Sequence, residues 1–320
     1  MYSNLNILFL GGAKRVSLAE HLIAAGQKMG KQVGIFSYEL SPQVPIASVG
    51  SVIVGRRWKD ADLYDHLLQI IAQHHIQMVL PFVDPAIEVA AKLKELADDV
   101  FIPVSPADTC RIMFDKRQAN EWFIAHGVPV PPYYKSVDEA EAAFPLILKP
   151  RNGSASKGII VLRSNNSPEL PNHTDNYLIQ TYLEEAEEFT VDCYVDRQGR
   201  TLAIVPRIRL EVAGGEAVST RTVRDEAIIN LSATILATGA FRGPVTIQYI
   251  RNRRTGHTYV MEINPRLGGA VIAAIAAGAD IPTLLLSEAC GQLPQPIAHW
   301  KAGTFMTRYF KEVIFYADNH

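Results

Sequence analysis

Strand-like and helix-like segments alternate through the first hundred residues, and this alternation constrains the fold more than any other feature of the chain. Apolar runs at residues 6–10, 32–37, 51–54, 78–82 and 100–104 are separated by helix-like patterns at 17–29, 61–74 and 85–97. Strands joined through helices predict a parallel sheet, because parallel neighbours need a long crossover connection. That unit is about the size of one small domain, so the rest of the 320 residues must build at least one more.

Composition narrows the class. Hydrophobic residues make up 48% and charged residues 20%, enough apolar material to bury a sizeable core and too much for wholesale disorder. The formal net charge of −2, from 31 basic and 33 acidic residues, gives no electrostatic reason to expect a nucleic-acid or membrane-surface partner. Cys110, Cys193 and Cys290 are odd in number and far apart, which builds neither a disulfide framework nor a zinc site and predicts a reducing, cytoplasmic setting. The opening Met1-Tyr2-Ser3-Asn4-Leu5-Asn6 lacks a basic stretch, so no leader is expected. The apolar stretch 271–290 is broken by Gly278, Asp280 and Pro282 and reads as two core helices, not as a membrane span.

Gly11-Gly12 after the first strand admits two readings. One is a dinucleotide site, although the spaced G-x-G-x-x-G is missing and no acidic residue cleanly ends the second strand. The other is a tight strand-to-helix turn. Asp84-Pro85 reads as a helix N-cap with proline in the first turn, at a strand end that also allows a substrate contact.

Beyond residue 105 the texture changes. Residues 115–126 are helical and end at Gly127, with Pro129, Pro131 and Pro132 starting an extended linker. Runs at 144–149, 158–162, 177–180, 188–195 and 202–209 read as strands, mostly antiparallel by their short connections. A helix at 226–238 precedes a hairpin of 245–250 and 258–263, joined by the turn containing Thr255-Gly256.

Two segments carry chemistry. Residues 151–158, Arg-Asn-Gly-Ser-Ala-Ser-Lys-Gly, are small and rich in donors, which suits an anion, and Lys149 before them supplies a point charge for a phosphate. The spacing is not that of a P-loop, and a flexible hairpin loop is the competing reading. In Val260-Met261-Glu262-Ile263-Asn264-Pro265-Arg266, Glu262 and Asn264 stand two apart and share one face of a strand. If the hairpin sets Gln248 opposite Glu262, three oxygen-bearing side chains line that face, as Mg²⁺ requires; a one-residue slip separates them, and a solvated polar face is the alternative. Arg207 and Arg209 alternate onto one strand face and, with Arg221 and Arg266, suit a substrate carboxylate, against a plain salt bridge to Glu211 or Asp225.

Taken in order, Asp115-Lys116, Leu148-Lys149-Pro150, the Gly-Ser loop, Gln180-Thr181-Tyr182-Leu183-Glu184, Glu188-Phe189-Thr190-Val191-Asp192 and Glu262-Ile263-Asn264-Pro265-Arg266 resemble the ATP-grasp family. The likeness is to the ATP-binding half of carbamoyl phosphate synthase large subunits and to single-chain carboxylate–amine ligases built on that module. It implies an α/β chain: an N-terminal parallel α/β (pre-ATP-grasp) domain over residues 1–105, then a two-lobed α+β ATP-grasp domain over 106–290. The small lid lobe would span about 110–182 and the large lobe about 183–290, leaving 291–320 as a C-terminal extension.

The resemblance further implies ATP with one or two Mg²⁺ ions, Mn²⁺ being the alternative ion. Lys116 and Lys149 would contact the phosphates, and the loop with Gly153, Ser154, Ser156 and Gly158 would close over them. The hinge Gln180, Thr181, Tyr182 and Leu183 would meet the adenine edge, with Glu188 on the ribose. Gln248, Glu262 and Asn264 would bind the metal, and Arg266 would steady the phosphoryl group. The sequence departs from many relatives in having Gln180 for a glutamate and Ala186 for a glycine.

The activity implied is a ligase joining a small carboxylate to an amine through an acyl phosphate, in a homodimer through the first domain. The rivals are carbamoyl phosphate synthase-like phosphorylation of bicarbonate or carbamate, biotin carboxylase chemistry, a non-catalytic ATP-binding regulator and a redox enzyme. Residues 267–271 lack the Glu-His-rich segment of biotin carboxylases.

Overall fold

A computed structural model of the chain describes residues 3–153, 157–165 and 167–316. The first unit is β1 (Ser3–Leu10), α1 (Val16–Lys28), β2 (Lys31–Glu39), β3 (Ser51–Val54), α2 (Leu63–Gln73), β4 (Ile76–Pro81) and α3 (Asp84–Leu93). Its sheet runs β3-β2-β1-β4 and every pairing is parallel, as the alternation predicts. The fifth expected strand, 100–104, reduces to one bridge between Met78 and Phe101. Pro103 explains the loss, since proline cannot donate to a ladder.

Two helices follow, α4 (Ala107–Phe114) and α5 (Lys116–Ala125). Asp115 caps the second by accepting from the amides of Arg117 (2.9 Å) and Gln118 (3.2 Å). The sequence pattern predicts the second helix and misses the first, whose eight residues bury only Cys110 and Met113.

A four-stranded antiparallel sheet comes next. It has the order β5-β8-β6-β7, from β5 (Tyr133–Tyr134), β6 (Leu146–Pro150), β7 (Ile160–Leu162) and β8 (Tyr177–Thr181). The larger sheet collects β9 (Ala186–Val195), β10 (Thr201–Ala213), β11 (Glu216–Thr222), β12 (Gly243–Asn252) and β13 (Thr258–Asn264). It is covered by α6 (Glu226–Leu236). After α7 (Ile272–Ala276) and α8 (Ile281–Ala289), β14 (Phe305–Thr307) returns to its edge, giving the order β13-β12-β9-β10-β11-β14. The sequence pattern gives no hint of β14, which is too short to show a period.

Packing joins the first unit to the large sheet. Leu5, Ile7 and Phe9 of β1 and Leu18 and Leu22 of α1 share one core with Tyr194, Leu202, Leu267, Ile281 and Leu285. Tyr194, fully buried, donates to Glu288 of α8 at 2.6 Å, and Arg197 holds the other carboxylate oxygen at 3.2 Å. The C-terminal ends of β1 and β4 therefore face the end of the large sheet where Asn264 and Arg266 lie. A substrate cavity at that junction is what parallel strands allow, because their crossovers leave a crevice beyond their carboxyl ends.

Candidate functional site

Three adjoining cavities occupy the junction. The first, of about 360 Å³, lies between the two antiparallel sheets and is lined by Lys116, Ile147, Lys149, Gln180, Thr181, Tyr182, Leu183, Glu188, Ile250 and Met261. Apolar walls with a few convergent polar groups suit a flat heterocycle with a charged tail. The Thr181 amide donates to Pro132 O (2.9 Å) and the Tyr182 amide to Pro145 O (2.8 Å), so both are engaged in fixing the hinge. The Leu183 amide has no partner among the described residues, and Leu183 lines the slot.

Lys149 ends β6 and donates to Gln180 Oε1 at 3.0 Å, while Gln180 Nε2 donates to Asn120 Oδ1 at 3.0 Å. An amide does both jobs, accepting from the lysine and donating to the asparagine, which gives the Gln180 departure a physical role. Burial pushes the Lys149 ammonium down to about 8, with Glu262 opposing and Lys116 adding to the shift. Lys116 reaches the carbonyl of Gly153 at 2.7 Å, in a loop whose base is tied by Arg151 to both carboxylate oxygens of Asp115 (2.6–3.3 Å). Burial pushes the Asp115 carboxyl up, but Arg151 and two backbone amides outweigh it and hold it below the usual range. Gly153 sits at φ +123°, a backbone conformation that side chains resist, and Gly158 at +73°. Ser154 and Ser156 lie outside the described residues.

Gln248 stands opposite Glu262 in the β12–β13 register, as the oxygen-lined face requires. The Gln248 amide and, at 2.9 Å, the Asn264 amide both donate to Glu262 Oε1, so the three side chains meet at one point. The opposite face is apolar and buried through Ile247, Tyr249 and Ile263. The donor set is one carboxylate and two amides, all hard oxygen donors, and it fits Mg²⁺ in kind. No group of three His, Cys, Asp or Glu placed to hold a metal ion occurs among the described residues. A cation there has to complete its shell from a ligand's oxygens and water.

A second cavity, of about 290 Å³, lies between that face and the first unit, lined by Phe82, Val83, Asp84, Glu88, Met113, Phe114, Asn264 and Arg266 among others. Asp84 is the first residue of α3 and makes no cap. Its carboxylate instead holds Arg266 at 3.0 Å, which corrects the N-cap expectation and reveals a contact across the junction.

The third is a recess of about 90 Å³ lined by Arg15, Arg207, Arg209, Arg266, Thr190, Thr246, Glu216 and the backbone of residues 268–270. Arg207 and Arg209 do share one face, but neither pairs with Glu211 or Asp225. Arg207 is fully buried against Asp192 (2.8 Å), and Arg209 binds Glu188 (2.9 Å), Gln248 (3.1 Å) and the Gly215 carbonyl (3.0 Å). Arg221 departs from expectation: it is exposed, lies in β11 opposite Phe305 of β14, and lines none of these cavities.

Sequence reasoning misses Arg15, Asp84 as an ion-pair partner, Glu216 and Arg308. Arg15 follows the Gly11-Gly12 turn, which points an arginine at the recess. Glu216 sits at the tip of the β10–β11 hairpin, 3.6 Å from Arg15 and ion-paired to Arg308 just after β14. Burial pushes the Glu216 carboxyl up, and the two arginines more than reverse it.

Residues 173–311 match a family described as ATP-grasp in the biosynthetic pathway with Ter operon. No curated protein matches the sequence. Among solved structures, the chain is similar to the biotin carboxylase domain dimer of Hydrogenobacter thermophilus 2-oxoglutarate carboxylase, in complex with MgADP, ADP and bicarbonate. The TM-score is 0.73 at 17% identity, over 94% of this chain and 73% of that one. Staphylococcus aureus N5-carboxyaminoimidazole synthetase complexed with ADP gives 0.72 at 18%, over 92% and 80%. Rhizobium etli pyruvate carboxylase gives 0.69 at 20%, and there 88% of this chain spans only 28% of the other.

At these identities the likeness establishes the fold: an ATP-grasp fold behind a parallel α/β unit. The family match covers residues 173–311 of this fold, most of the large sheet and the segments after it.

Proposed function

We propose that the chain is a Mg²⁺-ATP-dependent ligase that joins a carboxylate to an amine through an acyl phosphate. The observation that carries this reading is the continuity of the three cavities. The oxygen-lined face of Gln248, Glu262 and Asn264 borders the slot that holds Lys149 and also the recess that holds Arg266. A triphosphate lying in the slot would extend its tail toward an acid held in the recess.

In this reading the adenine lies between Ile147 and Met261 against the hinge, with Glu188 on the ribose. Lys116 and Lys149 take the phosphates, under the Gly153–Gly158 loop. Glu262, Asn264 and Gln248 would hold one or two Mg²⁺ ions, whose charge would offset that of the phosphates. A carboxylate oxygen of the acid attacks the γ-phosphorus, the bond to ADP breaks, and Arg266 steadies the charge on the acyl phosphate. The amine nitrogen then attacks the acyl carbon. Phosphate leaves with the oxygen that made the attack, and the amine proton passes to solvent. No side-chain nucleophile is required, and the enclosing first unit helps keep water from the acyl phosphate.

The likeness to a biotin carboxylase complexed with bicarbonate supports a second reading, phosphorylation of bicarbonate. ADP release from MgATP, scanned over small carboxylic acids and bicarbonate with and without an amine, separates the two. Release that requires an organic acid and rises with one amine supports the ligase. Release with bicarbonate alone overturns it in favour of the second reading. A cytoplasmic homodimer completes the proposal; reduced cysteines are compatible with such a setting, and Cys110, Cys193 and Cys290 are free. Among the described residues, no helix is long and apolar enough to cross a membrane.

A further inference from the structure

The recess at the junction is lined by four arginines and one carboxylate, that of Glu216. The four, Arg15, Arg207, Arg209 and Arg266, and Arg308 beside the recess are ion-paired with four carboxylates, of Asp192, Glu188, Asp84 and Glu216. Glu216 is shared, bound tightly by Arg308 and standing 3.6 Å from Arg15. Arg15 is the least satisfied of the five. Its side chain is 16% exposed, and its hydrogen bond to the Gly269 carbonyl is stretched to 3.5 Å. Burial presses its pKa down, Glu216 opposes, and Arg266 and Arg308 add to the pressure. Two more buried donors on residues lining the recess, Arg207 Nη1 and Arg209 Nε, have no partner among the described residues, against one buried acceptor without a partner beside it, Asp192 Oδ1. Buried donors without acceptors are costly, so the convergence of guanidinium donors on one recess suits an oxyanion.

The backbone is cut to admit it. A Cβ on Gly269 would stand 3.2 Å from Arg15 Nη1 and 3.3 Å from the Glu216 carboxyl, and one on Gly268 would meet Asp192 Oδ1 at 2.9 Å. At about 90 Å³ the recess holds a compact group and nothing larger. Next to it, the 290 Å³ cavity offers Phe82, Val83, Met113 and Phe114 as apolar wall. That cavity also exposes the carboxylate of Glu88, which has no ion pair among the described residues and repels a second negative charge.

We propose that Arg15, delivered by the Gly11-Gly12 turn of the first unit, is a ligand of the acid substrate, and that this acid is a monocarboxylate with an apolar body. Its carboxylate sits in the arginine recess and its body lies against Phe82 and Phe114. The inference rests on the ligase reading only for naming the anion as the reacting acid; the recess itself stands on its own contacts.

The test is thermal-shift titration of the full chain with MgADP present, using acetate, hexanoate, malonate and inorganic phosphate as probes. Wild type is expected to bind hexanoate more tightly than acetate, and both more tightly than malonate or phosphate. Arg15→Gln should raise the half-saturating hexanoate concentration at least tenfold while leaving MgADP affinity within about twofold. Glu216→Gln should lower it severalfold, because Arg15 and Arg308 are then uncompensated. Equal hexanoate titrations in wild type and Arg15→Gln overturn the assignment of Arg15, and tighter binding of malonate or phosphate overturns the monoanion. Failure of the ligase reading looks different: hexanoate binds through Arg15, yet no acid stimulates ADP release.

Discussion

The slot between the two antiparallel sheets and the arginine recess share a wall and are built in opposite ways. The slot draws its polar groups from adjacent strands and one hinge, and its ties are few: Lys149 to Gln180, Gln180 to Asn120, Lys116 to Gly153. The recess draws Arg15, Asp84, Asp192, Arg207, Glu216, Arg266 and Arg308 from segments separated by up to 293 positions and ties nearly all of them in ion pairs. The difference teaches where damage should appear. Changes in the slot should cost affinity, and changes in the recess should cost stability as well.

Four substitutions break or sharpen that contrast. Asp192→Ala removes the partner of a fully buried guanidinium, and the expected loss is about 3–5 kcal/mol of unfolding free energy, read by urea denaturation. A loss below about 1 kcal/mol would remove the structural half of the contrast. Glu262→Ala, on the wall between the two regions, should lower turnover by on the order of 10²–10³-fold. Its urea midpoint and its metal-free ADP affinity should stay near wild type.

Lys149→Met should weaken ATP binding by about 10–100-fold, as the loss of a charge-assisted contact. It should also abolish a pH dependence. The free Lys149 pKa is about 8 and the ammonium is the binding form, so affinity is full below that value and declines above it, by up to about tenfold per pH unit. Isothermal titration from pH 7 to 9 reads both effects, and a pH-independent wild type would contradict the role given to this lysine. Arg221→Ala, at an exposed position outside every cavity, should leave the half-saturating acid concentration within about twofold.

The contrast also explains what could be read from the chain alone. Slot residues stand in short patterned segments: Lys149 ends a readable strand and the Gln248–Glu262 pairing is one of the registers the hairpin allows, whereas the 180–183 hinge follows only from the family resemblance. The first sheet follows from alternation of elements, apart from the strand that Pro103 prevents. The recess obeys no local rule. Arg15 and Arg308 look like ordinary surface basic residues until β1 and β14 bring them to the same carboxylate. Asp84 has the sequence of a helix cap, and only the approach of β13 to α3 turns its carboxylate to Arg266. Arg221 shows the converse error: its period is right for a strand, but burial on β11 selects Ser219, Thr220 and Thr222 and leaves the arginine outside.

The central claim is that the acid is activated by attack of its own carboxylate oxygen on the γ-phosphate. Once the ADP-release screen names the acid, its carboxylate is labelled with ¹⁸O and the released inorganic phosphate is weighed. The account predicts one ¹⁸O in each phosphate released with amide product. Unlabelled phosphate, with both labels retained on the acid or lost to water, would contradict it.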